Sequence, residues 1–254
     1  MRAELWGAEH VELGHVASAS PQRGAAIALT RGRFLKSYGY LDANEDAVAV
    51  VCGPRATLLA CADGHNGVTA SHVALRHALD AFGDDPPPEL SDREWLDLFE
   101  AVNEAVLAAT AGSEQPGSRT VLLLALAAAG RVSWGSMGDA AAVLAAPGAS
   151  RGRQLNREEM RFVGYPMKRR ALKSALQRGR VSLEADEWVV LVTDGLSEFV
   201  SPMRPADVVP RILATVPPGD AEAAALRLVD TACAAGAGDN VGVAILAPRS
   251  SRGA

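Results

Sequence analysis

The feature that most constrains the fold of this chain is a set of five short apolar segments, each with an acidic residue at one end. The acids are Asp63 after residues 58–62, Asp139 after 132–137, Asp194 after 188–193, Glu45 and Asp46 before 47–52, and Asp239 before 241–246. Apolar runs of this length do not by themselves distinguish a buried strand from a buried helix. Glycines such as Gly64 and Gly67 favour strands that meet loops. The sequence therefore predicts buried strands that end beside carboxylates, with Asp63 and His65 on a tight loop.

These carboxylates predict a metal site if the strand ends meet. A single Asp-Gly pair is more often a turn than a ligand, and Asp139 or Asp239 alone would be a loop residue. Carboxylates brought together in this number do not all stay ionised without a counter-charge. Oxygen ligands at such density suit magnesium, manganese or calcium ions. We therefore expect divalent cations among these acids.

Between the first two strands and the later ones, the hydrophobic period changes to that of a helix. Residues 68–82 and 95–106 each carry apolar side chains at helical spacing, and Ser91 with Glu94 predicts a capping box. Strands in runs and helices in pairs predict an α+β fold. We expect a four-layer α-β-β-α sandwich, with two central antiparallel sheets flanked by helices, because the strands are apolar on both faces.

The rest of the chain predicts further strands and helices of the same sandwich. The strands are 25–30, 57–62, 120–129, 140–146, 181–183 and, less regular, 151–155, and the helices are 196–200, 206–216 and 221–234. Residues 1–22 either add an edge strand around 10–16 or lie loosely on the surface. No internal repeat or long linker divides the chain. We expect a single domain over 1–254, with 1–22 and 249–254 as candidates for loose order.

Composition restricts the class of protein and its location. The 254 residues are 48% hydrophobic, which suits one large domain or two small ones, and the net charge of −5 disfavours nucleic acid and anionic membranes as partners. No apolar run reaches the length of a membrane span, and the amino terminus lacks the apolar segment of a signal peptide. Three scattered cysteines predict reduced core thiols. We therefore expect a cytoplasmic protein.

The acidic motifs occur along the chain in the order Glu-Asp, Asp-Gly-His-Asn-Gly, Gly-Asp, Thr-Asp-Gly and Asp-Asn. This order, with these strand contexts, resembles the metal-dependent protein phosphatases of the type 2C (PPM) family, from about residue 23 to residue 246. The resemblance implies hydrolysis of phosphoserine and phosphothreonine in proteins. It also implies two Mn²⁺ or Mg²⁺ ions bridged by a hydroxide, with a third, weaker metal site. The expected fold of the family agrees with the sandwich described above.

The resemblance also implies roles for individual residues. The implied metal ligands are Asp63 as the bridging carboxylate, the Gly64 carbonyl, Asp194 and Asp239 on one ion, Glu45 and Asp46 on the other, and Asp139 at the third site. His65 is the implied general acid, which protonates the departing serine or threonine oxygen. Asn240 is expected to orient Asp239 by hydrogen bonding.

The chain departs from the family pattern where the substrate phosphate is expected to bind. Relatives have an arginine a few residues before the Glu-Asp pair, whereas this chain has Leu41 and Asp42 there. Arg33 and Lys36 are the candidate substrate-binding cations in its place, and we favour Arg33. Residues 156–181 also match poorly, and the basic run 168–180 either contacts an acidic partner or is a solvated helix face.

Two interpretations of the chain remain open at this point. The first is a protein serine/threonine phosphatase that acts on phosphoproteins and opposes a bacterial-type serine/threonine kinase. The composition, rich in Ala and with more Arg than Lys, suggests a genome of high GC content. The alternative is a catalytically weak or silent phosphatase-like module that binds a phosphoprotein. The complete set of acids favours the enzyme, and the acidic net charge disfavours nucleic-acid binding.

Overall fold

The computed structural model, which describes residues 1–36 and 41–248, is a sandwich of two six-stranded antiparallel sheets. The strands are β1 (Arg2–Trp6), β2 (Val16–Gln22), β3 (Ala25–Thr30), β4 (Ala47–Cys52), β5 (Thr57–His65), β6 (Arg119–Ala128), β7 (Arg131–Met137), β8 (Ala141–Ala145), β9 (Arg153–Gln154), β10 (Gln177–Ser182), β11 (Trp188–Val192) and β12 (Val241–Leu246). The first sheet has the order β1-β4-β5-β6-β7-β10, and the second has the order β2-β3-β12-β11-β8-β9.

Helices cover the outer face of each sheet and complete the four layers. They are α1 (Thr69–Phe82), α2 (Asp92–Thr110), α3 (Arg169–Ala175), α4 (Asp194–Phe199), α5 (Pro205–Leu213) and α6 (Ala221–Ala234). The first three pack on the first sheet and the last three on the second, and a third apolar cluster lies between the sheets. The predicted α+β fold, two antiparallel sheets flanked by helices, is confirmed.

Strand β5 shows how the alternation of side chains directs the acids inward. Leu58 and Ala60 pack against α1 and α2, whereas Leu59 and Cys61 belong to the cluster between the sheets. Successive side chains of a strand point to opposite faces. Asp63, two residues beyond Cys61, therefore lies on the side that faces the second sheet.

The predicted capping box at the start of α2 is present. The Ser91 hydroxyl accepts a hydrogen bond from the Glu94 backbone N–H, and the Glu94 carboxylate accepts one from the Ser91 N–H at 2.7 Å. Behind it, the Trp95 indole N–H donates to the Ser133 hydroxyl of β7 at 3.1 Å. This bond satisfies a buried polar group and joins the helix to the first sheet.

The predicted strand around residues 10–16 is wrong. The amino-terminal segment instead forms two strands, β1 at the edge of the first sheet beside β4 and β2 at the edge of the second beside β3. The chain must cross from one sheet to the other between them. A 3-10 turn at Gly7–Glu9 and the loop that follows make this crossing. Tertiary pairing, which local pattern does not report, therefore determines the structure of this segment.

Other predicted elements differ mainly at their ends. Residues 156–181, which resisted prediction, include α3 and most of β10. The candidate strand 151–155 is a two-residue strand, β9. The tail 249–254 lies outside the described residues. Within residues 1–36 and 41–248, no helix combines the length and the apolar character that crossing a membrane requires.

Candidate metal centre and active site

The acidic residues converge at one end of the sandwich because of how neighbouring strands run. Antiparallel neighbours place the end of one strand beside the start of the next. Asp63 near the end of β5 therefore lies close to Asp46, which precedes β4. In the second sheet, the same rule brings Asp194, after β11, to the level of Asp239, which precedes β12. The predicted convergence of strand ends is thus a property of the topology.

The first difference from the sequence-based prediction concerns Asp63 and His65 themselves. We expected both on a tight loop, but β5 continues through His65. His65 pairs with Arg119 of β6 in register, and the Thr120 hydroxyl donates to the Asp63 carbonyl at 2.7 Å. The loop expectation is wrong because the neighbouring strand supplies pairing partners up to the end of the motif. Both side chains are therefore held by regular sheet rather than by a turn.

Three carboxylates form the tightest part of the acidic cluster. One oxygen from each of Asp63, Asp139 and Asp194 lies within 4.8 Å of the other two. Asp139 Oδ1 is buried and has no hydrogen-bond partner among the described residues. Oxygen donors in this arrangement fit a hard divalent cation. The resemblance implies a looser third metal site at Asp139, and the structure brings this carboxylate close to Asp63 and Asp194.

Burial and mutual repulsion disfavour the charged forms of these acids. Burial, followed by repulsion from neighbouring carboxylates, raises the pKa of Asp63 and that of Asp194 well above their usual range. Burial also raises the pKa of Asp139, to which Glu158 and Asp239 add repulsion. A bound cation would reverse this preference, because it stabilises ionised carboxylates. The electrostatics of the cluster therefore favour occupation by positive charge.

Asp239 and Glu45 both contact the side chain of a lysine, Lys36. Lys36 Nζ lies 2.7 Å from Asp239 Oδ1 and 3.4 Å from Glu45 Oε2, and the lysine side chain is only 5% exposed. Burial alone would lower the pKa of Lys36, but the charges of Asp239, Asp46 and Glu45 together raise it. The Lys36 ammonium group therefore supplies a positive charge within the acidic cluster.

Asp46 and Asn240 are held by bonds that join the two sheets. The Thr193 hydroxyl donates to Asp46 Oδ2 at 2.8 Å and accepts from the Gly242 N–H at 2.8 Å. Burial raises the pKa of Asp46 well above its usual range, although Lys36 lowers it. The Asn240 side chain accepts from the Glu45 N–H at 2.9 Å, while its backbone N–H donates to Asp239. We did not single out Thr193, although it belongs to the Thr-Asp-Gly motif.

Two glycines of the motifs are required by close backbone contacts. A Cβ at Gly64 would overlap the Glu45 carbonyl oxygen, and a Cβ at Gly195 would overlap the carbonyl oxygen of Asn240. The Ser71 hydroxyl of α1 also donates to the Glu45 carbonyl at 2.5 Å. These glycines let the acidic strand ends approach more closely than any other residue would allow.

His65 lies at the edge of the cluster in an environment that keeps it neutral. Its Nε2 is 3.7 Å from Asp63 Oδ1, is buried, and has no hydrogen-bond partner in the described structure. The ring packs edge-on against Phe162 with centroids 4.7 Å apart. Burial, followed by the charge of Arg119 and then of Lys36, lowers the pKa of His65 to about 4. A phosphate dianion beside the ring would raise this pKa again.

Hydrogen bonds to the start of α1 and to Gln115 hold the carboxylates of Asp42 and Glu45 before β4. Asp42 Oδ2 accepts from the Val68 N–H at 2.9 Å and from Gln115 Nε2 at 2.6 Å. Glu45 Oε1 accepts from the Gly67 N–H at 2.5 Å. Asp42 therefore anchors the start of α1. Gln115 is a further anchoring residue, which no motif in the sequence indicates.

The two predicted substrate-binding cations occupy different places. Lys36 lies in the acidic cluster, as described above. Arg33 is exposed, its backbone N–H donates to the Ala237 carbonyl at 2.8 Å, and its charge acts on Cys233 of α6. Burial raises the pKa of the Cys233 thiol, and Arg33 lowers it only partly. The structure thus brings Lys36, rather than the favoured Arg33, to the acids.

An open cleft of about 530 Å³ gives access to the central carboxylates. Its lining includes His65, Asp139 and Asp194 on the inside and Glu158, Met160 and Glu198 toward the outside. Met160 is 71% exposed. A carboxylate trio with two members, Asp139 and Asp194, in the wall of an open cleft is typical of a metal-dependent hydrolase centre that a large substrate can reach.

Comparison with known proteins agrees with this class. A sequence profile described as protein phosphatase 2C matches residues 42–242, and no curated protein sequence was found to match the chain. The chain belongs to the protein phosphatase 2C family. It is therefore a protein serine/threonine phosphatase of the metal-dependent type, as the order of its acidic motifs indicated.

Solved structures of bacterial phosphatases share the fold. A bacterial serine phosphatase superposes with a TM-score of 0.72 at 16% identity, over 91% of this chain and 100% of that one. PstP/Ppp of Mycobacterium tuberculosis gives 0.61 at 23% identity, over 91% and 98%. Stp1 of Staphylococcus aureus gives 0.68 at 16% identity, over 94% and 97%. The catalytic domain of PstP in complex with two manganese ions gives 0.64 at 23% identity, over 91% and 97%. Identities this low show the fold alone.

Proposed function

We propose that this protein hydrolyses phosphoserine and phosphothreonine in proteins with the help of two Mn²⁺ or Mg²⁺ ions, with a third, weaker site. The observation that carries the proposal is the group of three carboxylate oxygens, from Asp63, Asp139 and Asp194, that lie within 4.8 Å of one another. Asp139 and Asp194 also line the open cleft. The unpartnered, buried Oδ1 of Asp139 adds to it, because buried acceptors without a donor are rare in native proteins. The two manganese ions in PstP are consistent with the choice of metal.

The proposed ligands divide into two groups. Asp63 and Asp194 would hold one ion, with the Gly64 carbonyl as a further donor, and Asp139 beside them would serve the third, weaker site. Asp46, Glu45 and Asp239 would serve a second ion once Lys36 yields its place beside them. When bound, such ions activate a water molecule and neutralise the phosphoryl oxygens. The chain's own contribution is to hold these oxygens in place, and the Thr193 hydroxyl does so for Asp46.

His65 is the proposed general acid for the leaving oxygen. In the described arrangement it is neutral at pH 7, because its pKa is about 4. The substrate must therefore supply the negative charge that lets the ring take up a proton, which it then gives to the serine or threonine oxygen. Lys36 and Arg33 stay proposed substrate-binding cations, and Lys36 is the better placed of the two.

Several finer statements belong to the same proposal. Residues 1–254 act as one phosphatase domain in the cytoplasm, and the substrates are phosphoproteins, among them a serine/threonine kinase. An open cleft favours a protein substrate over an enclosed small molecule. The alternative, a silent module that binds a phosphoprotein without turnover, remains an outcome of the experiment below.

The experiment is hydrolysis of a phosphothreonine peptide after chelation, with and without added Mn²⁺. We expect activity only with the metal, and a loss of at least about 100-fold in kcat/KM for Asp194→Asn and Asp63→Asn. Asp186→Asn is the matched control, because Asp186 is an exposed acid shortly before β11. Activity that survives chelation would contradict the proposal. Metal-dependent peptide binding without turnover would support the silent module instead.

A further inference from the structure

Arg119 is a cation that the function described so far does not use. It is the first residue of β6 and pairs directly with His65 of β5. Residues directly opposite in an antiparallel pair point to the same face of the sheet. Arg119 therefore lies on the same side as His65 and Asp63, between the two sheets and next to the residues that line the cleft.

Two aromatic rings hold the guanidinium of Arg119 in place. Its Cζ lies 4.9 Å from the centroid of Phe162 and 5.6 Å from that of Tyr165. Phe162 is buried and also contacts His65, so the ring lies against both side chains. Stacking of this kind fixes the plane of the guanidinium and leaves its N–H groups free to donate in that plane. Arg119 is thus oriented before any ligand binds.

The side-chain donors of Arg119 have no partner among the residues that the structure describes. No ion pair and no hydrogen bond joins its side chain to any residue in 1–36 or 41–248, and its Nε is fully buried and unpaired. Other arginines of the chain pair with acids, for example Arg153 with Glu187 and Arg180 with Glu89. Lys36, the other cation near the cleft, already contacts Asp239 and Glu45. A buried donor without an acceptor is costly, so an unpaired guanidinium here points to a ligand that supplies the acceptor.

The ligand must be an anion with two or more oxygens in one plane with the guanidinium. A phosphate monoester satisfies this, since its non-bridging oxygens match the donor fork of arginine. His65, opposite Arg119, is proposed to reach the ester oxygen of the same group. We propose that Arg119 binds the non-bridging oxygens of the substrate's phosphoryl group, in place of an arginine before Glu45. This proposal rests on the proposed function. The phosphoryl group then lies beside both residues, and its negative charge offsets the effect of Arg119, which disfavours protonation of His65.

The test compares Arg119→Ala and Arg119→Lys with the wild type on an aryl phosphate at saturating Mn²⁺. We expect Arg119→Ala to raise KM by about 10- to 100-fold, because the variant loses a charge-assisted hydrogen bond to the substrate. The change in kcat should be smaller. Arg119→Lys keeps the charge but not the fork and should recover part of the loss. The matched control is Arg170→Ala, since Arg170 is exposed on α3 and forms no ion pair with a described residue.

A second measurement separates this proposal from the function itself. Calorimetric titration of inorganic phosphate into the Mn²⁺-loaded protein should give a Kd that rises in Arg119→Ala by about the same factor as KM. This readout needs no turnover, so it tests Arg119 even if the wild type proves inactive. An unchanged KM and an unchanged phosphate Kd in a folded Arg119→Ala protein would overturn the proposal. If that variant does not fold, Arg119→Lys and Arg119→Gln, which keep most of the contact with Phe162, decide by the same two measurements.

Discussion

At the scale of single residues, the acids of the cluster divide into crowded and compensated ones. Asp194 and Asp63 repel each other and Asp139, whereas Asp239 lies 2.7 Å from the ammonium group of Lys36. From the sequence alone, all of these acids would be expected to behave alike. The contact with Lys36 distinguishes them, and the difference is measurable in the metal-free protein.

We predict that Asp194→Asn raises the melting temperature of the metal-free protein, by about 2–4 °C for each kcal/mol of repulsion removed. The pKa of Asp194 is raised in the folded state, so the folded protein binds the proton more tightly than the unfolded chain does. The contribution of Asp194 to stability is therefore present at low pH and lost as pH rises through the folded pKa. The stabilisation should accordingly be larger at pH 8 than at pH 5, measured by calorimetry after chelation.

The control for this prediction is Asp239→Asn, for which we expect the opposite sign. This change removes the charged carboxylate that lies 2.7 Å from the buried ammonium group of Lys36 and should lower stability by about 1–3 kcal/mol. A lower melting temperature for metal-free Asp194→Asn would contradict the crowding argument.

At the scale of elements, the site forms where the strand ends lie very close to the start of helix α4. Gly195 stands in the first turn of α4, directly against the carbonyl of Asn240 before β12. On the other side of the first sheet, β1 packs its Trp6 against α1. The Trp6 and His72 rings are 5.1 Å apart edge-on, and Arg76 lies over the indole at 5.3 Å. Both contacts depend on residues far apart in sequence.

For the first contact, we predict that Gly195→Ala destabilises the protein by about 1–3 kcal/mol and weakens Mn²⁺ binding, because the added Cβ pushes α4 and Asp194 away from β12. Chemical denaturation and a metal titration would measure the two effects. Gly117→Ala is the matched control, since no atom lies within 4 Å of its added Cβ and its backbone does not require glycine. Equal stability of the two variants would show that α4 can shift at no cost.

For the second contact, we predict that acid weakens the packing of β1 on α1 through His72. Burial, followed by the charge of Arg76, lowers the pKa of His72 to about 4, so the unfolded chain takes up the proton first. The contribution of His72 to stability is therefore complete above the unfolded pKa of about 6.5 and is lost as pH falls toward 4. Because the side chain is partly solvated, we expect a loss of about 1–2 kcal/mol.

His72→Gln tests this prediction, since glutamine does not titrate. The variant should lose less stability than the wild type between pH 6.5 and pH 4, as measured by urea denaturation. His77→Gln is the matched control, because it makes the same substitution at a half-buried histidine further along α1. Parallel pH profiles for the wild type and His72→Gln would exclude His72 as the titrating group.

At the scale of the whole molecule, the sandwich brings an acidic end and a packed middle into one structure. The apolar cluster between the sheets includes Ile27, Leu59, Leu123 and Leu191, all fully buried. The carboxylates lie just beyond this apolar cluster, where side chains are still buried but are no longer surrounded by apolar groups. Repulsion among these carboxylates lowers the free energy of unfolding of the whole sandwich. Bound cations should restore that stability.

We predict that Mn²⁺ raises the melting temperature of the whole protein and that chelation lowers it again. A ligand at 100 times its Kd stabilises the folded state by about 2.7 kcal/mol if it does not bind the unfolded chain. Ca²⁺ should also stabilise, but should support turnover poorly because its coordination is looser. The measurement is a calorimetric melt against metal concentration, and Asp139→Asn should weaken the response. No shift at millimolar Mn²⁺ would contradict a metal site at Asp63, Asp139 and Asp194.

The sequence by itself determined the strands, the fold class and the family of this protein. Buried strands such as β3 and β12 and the helix α6 were predictable to the residue, because their hydrophobic pattern and their flanking turns are local. The five acidic motifs were equally visible, since each is a contiguous group of residues. Their convergence followed once antiparallel pairing was assumed.

Only the tertiary structure decided which side chains meet at the site. It extended β5 through His65 by pairing with β6, placed Lys36 between Asp239 and Glu45, and turned Asp42 toward α1. It also brought Arg119, which no local pattern distinguishes, beside His65, where its Nε has no hydrogen-bond partner within residues 1–36 and 41–248. The physical reason is that a side chain's charge partners depend on strand register and on which loops share one end of the sandwich. Neither is encoded within a few residues of the side chain.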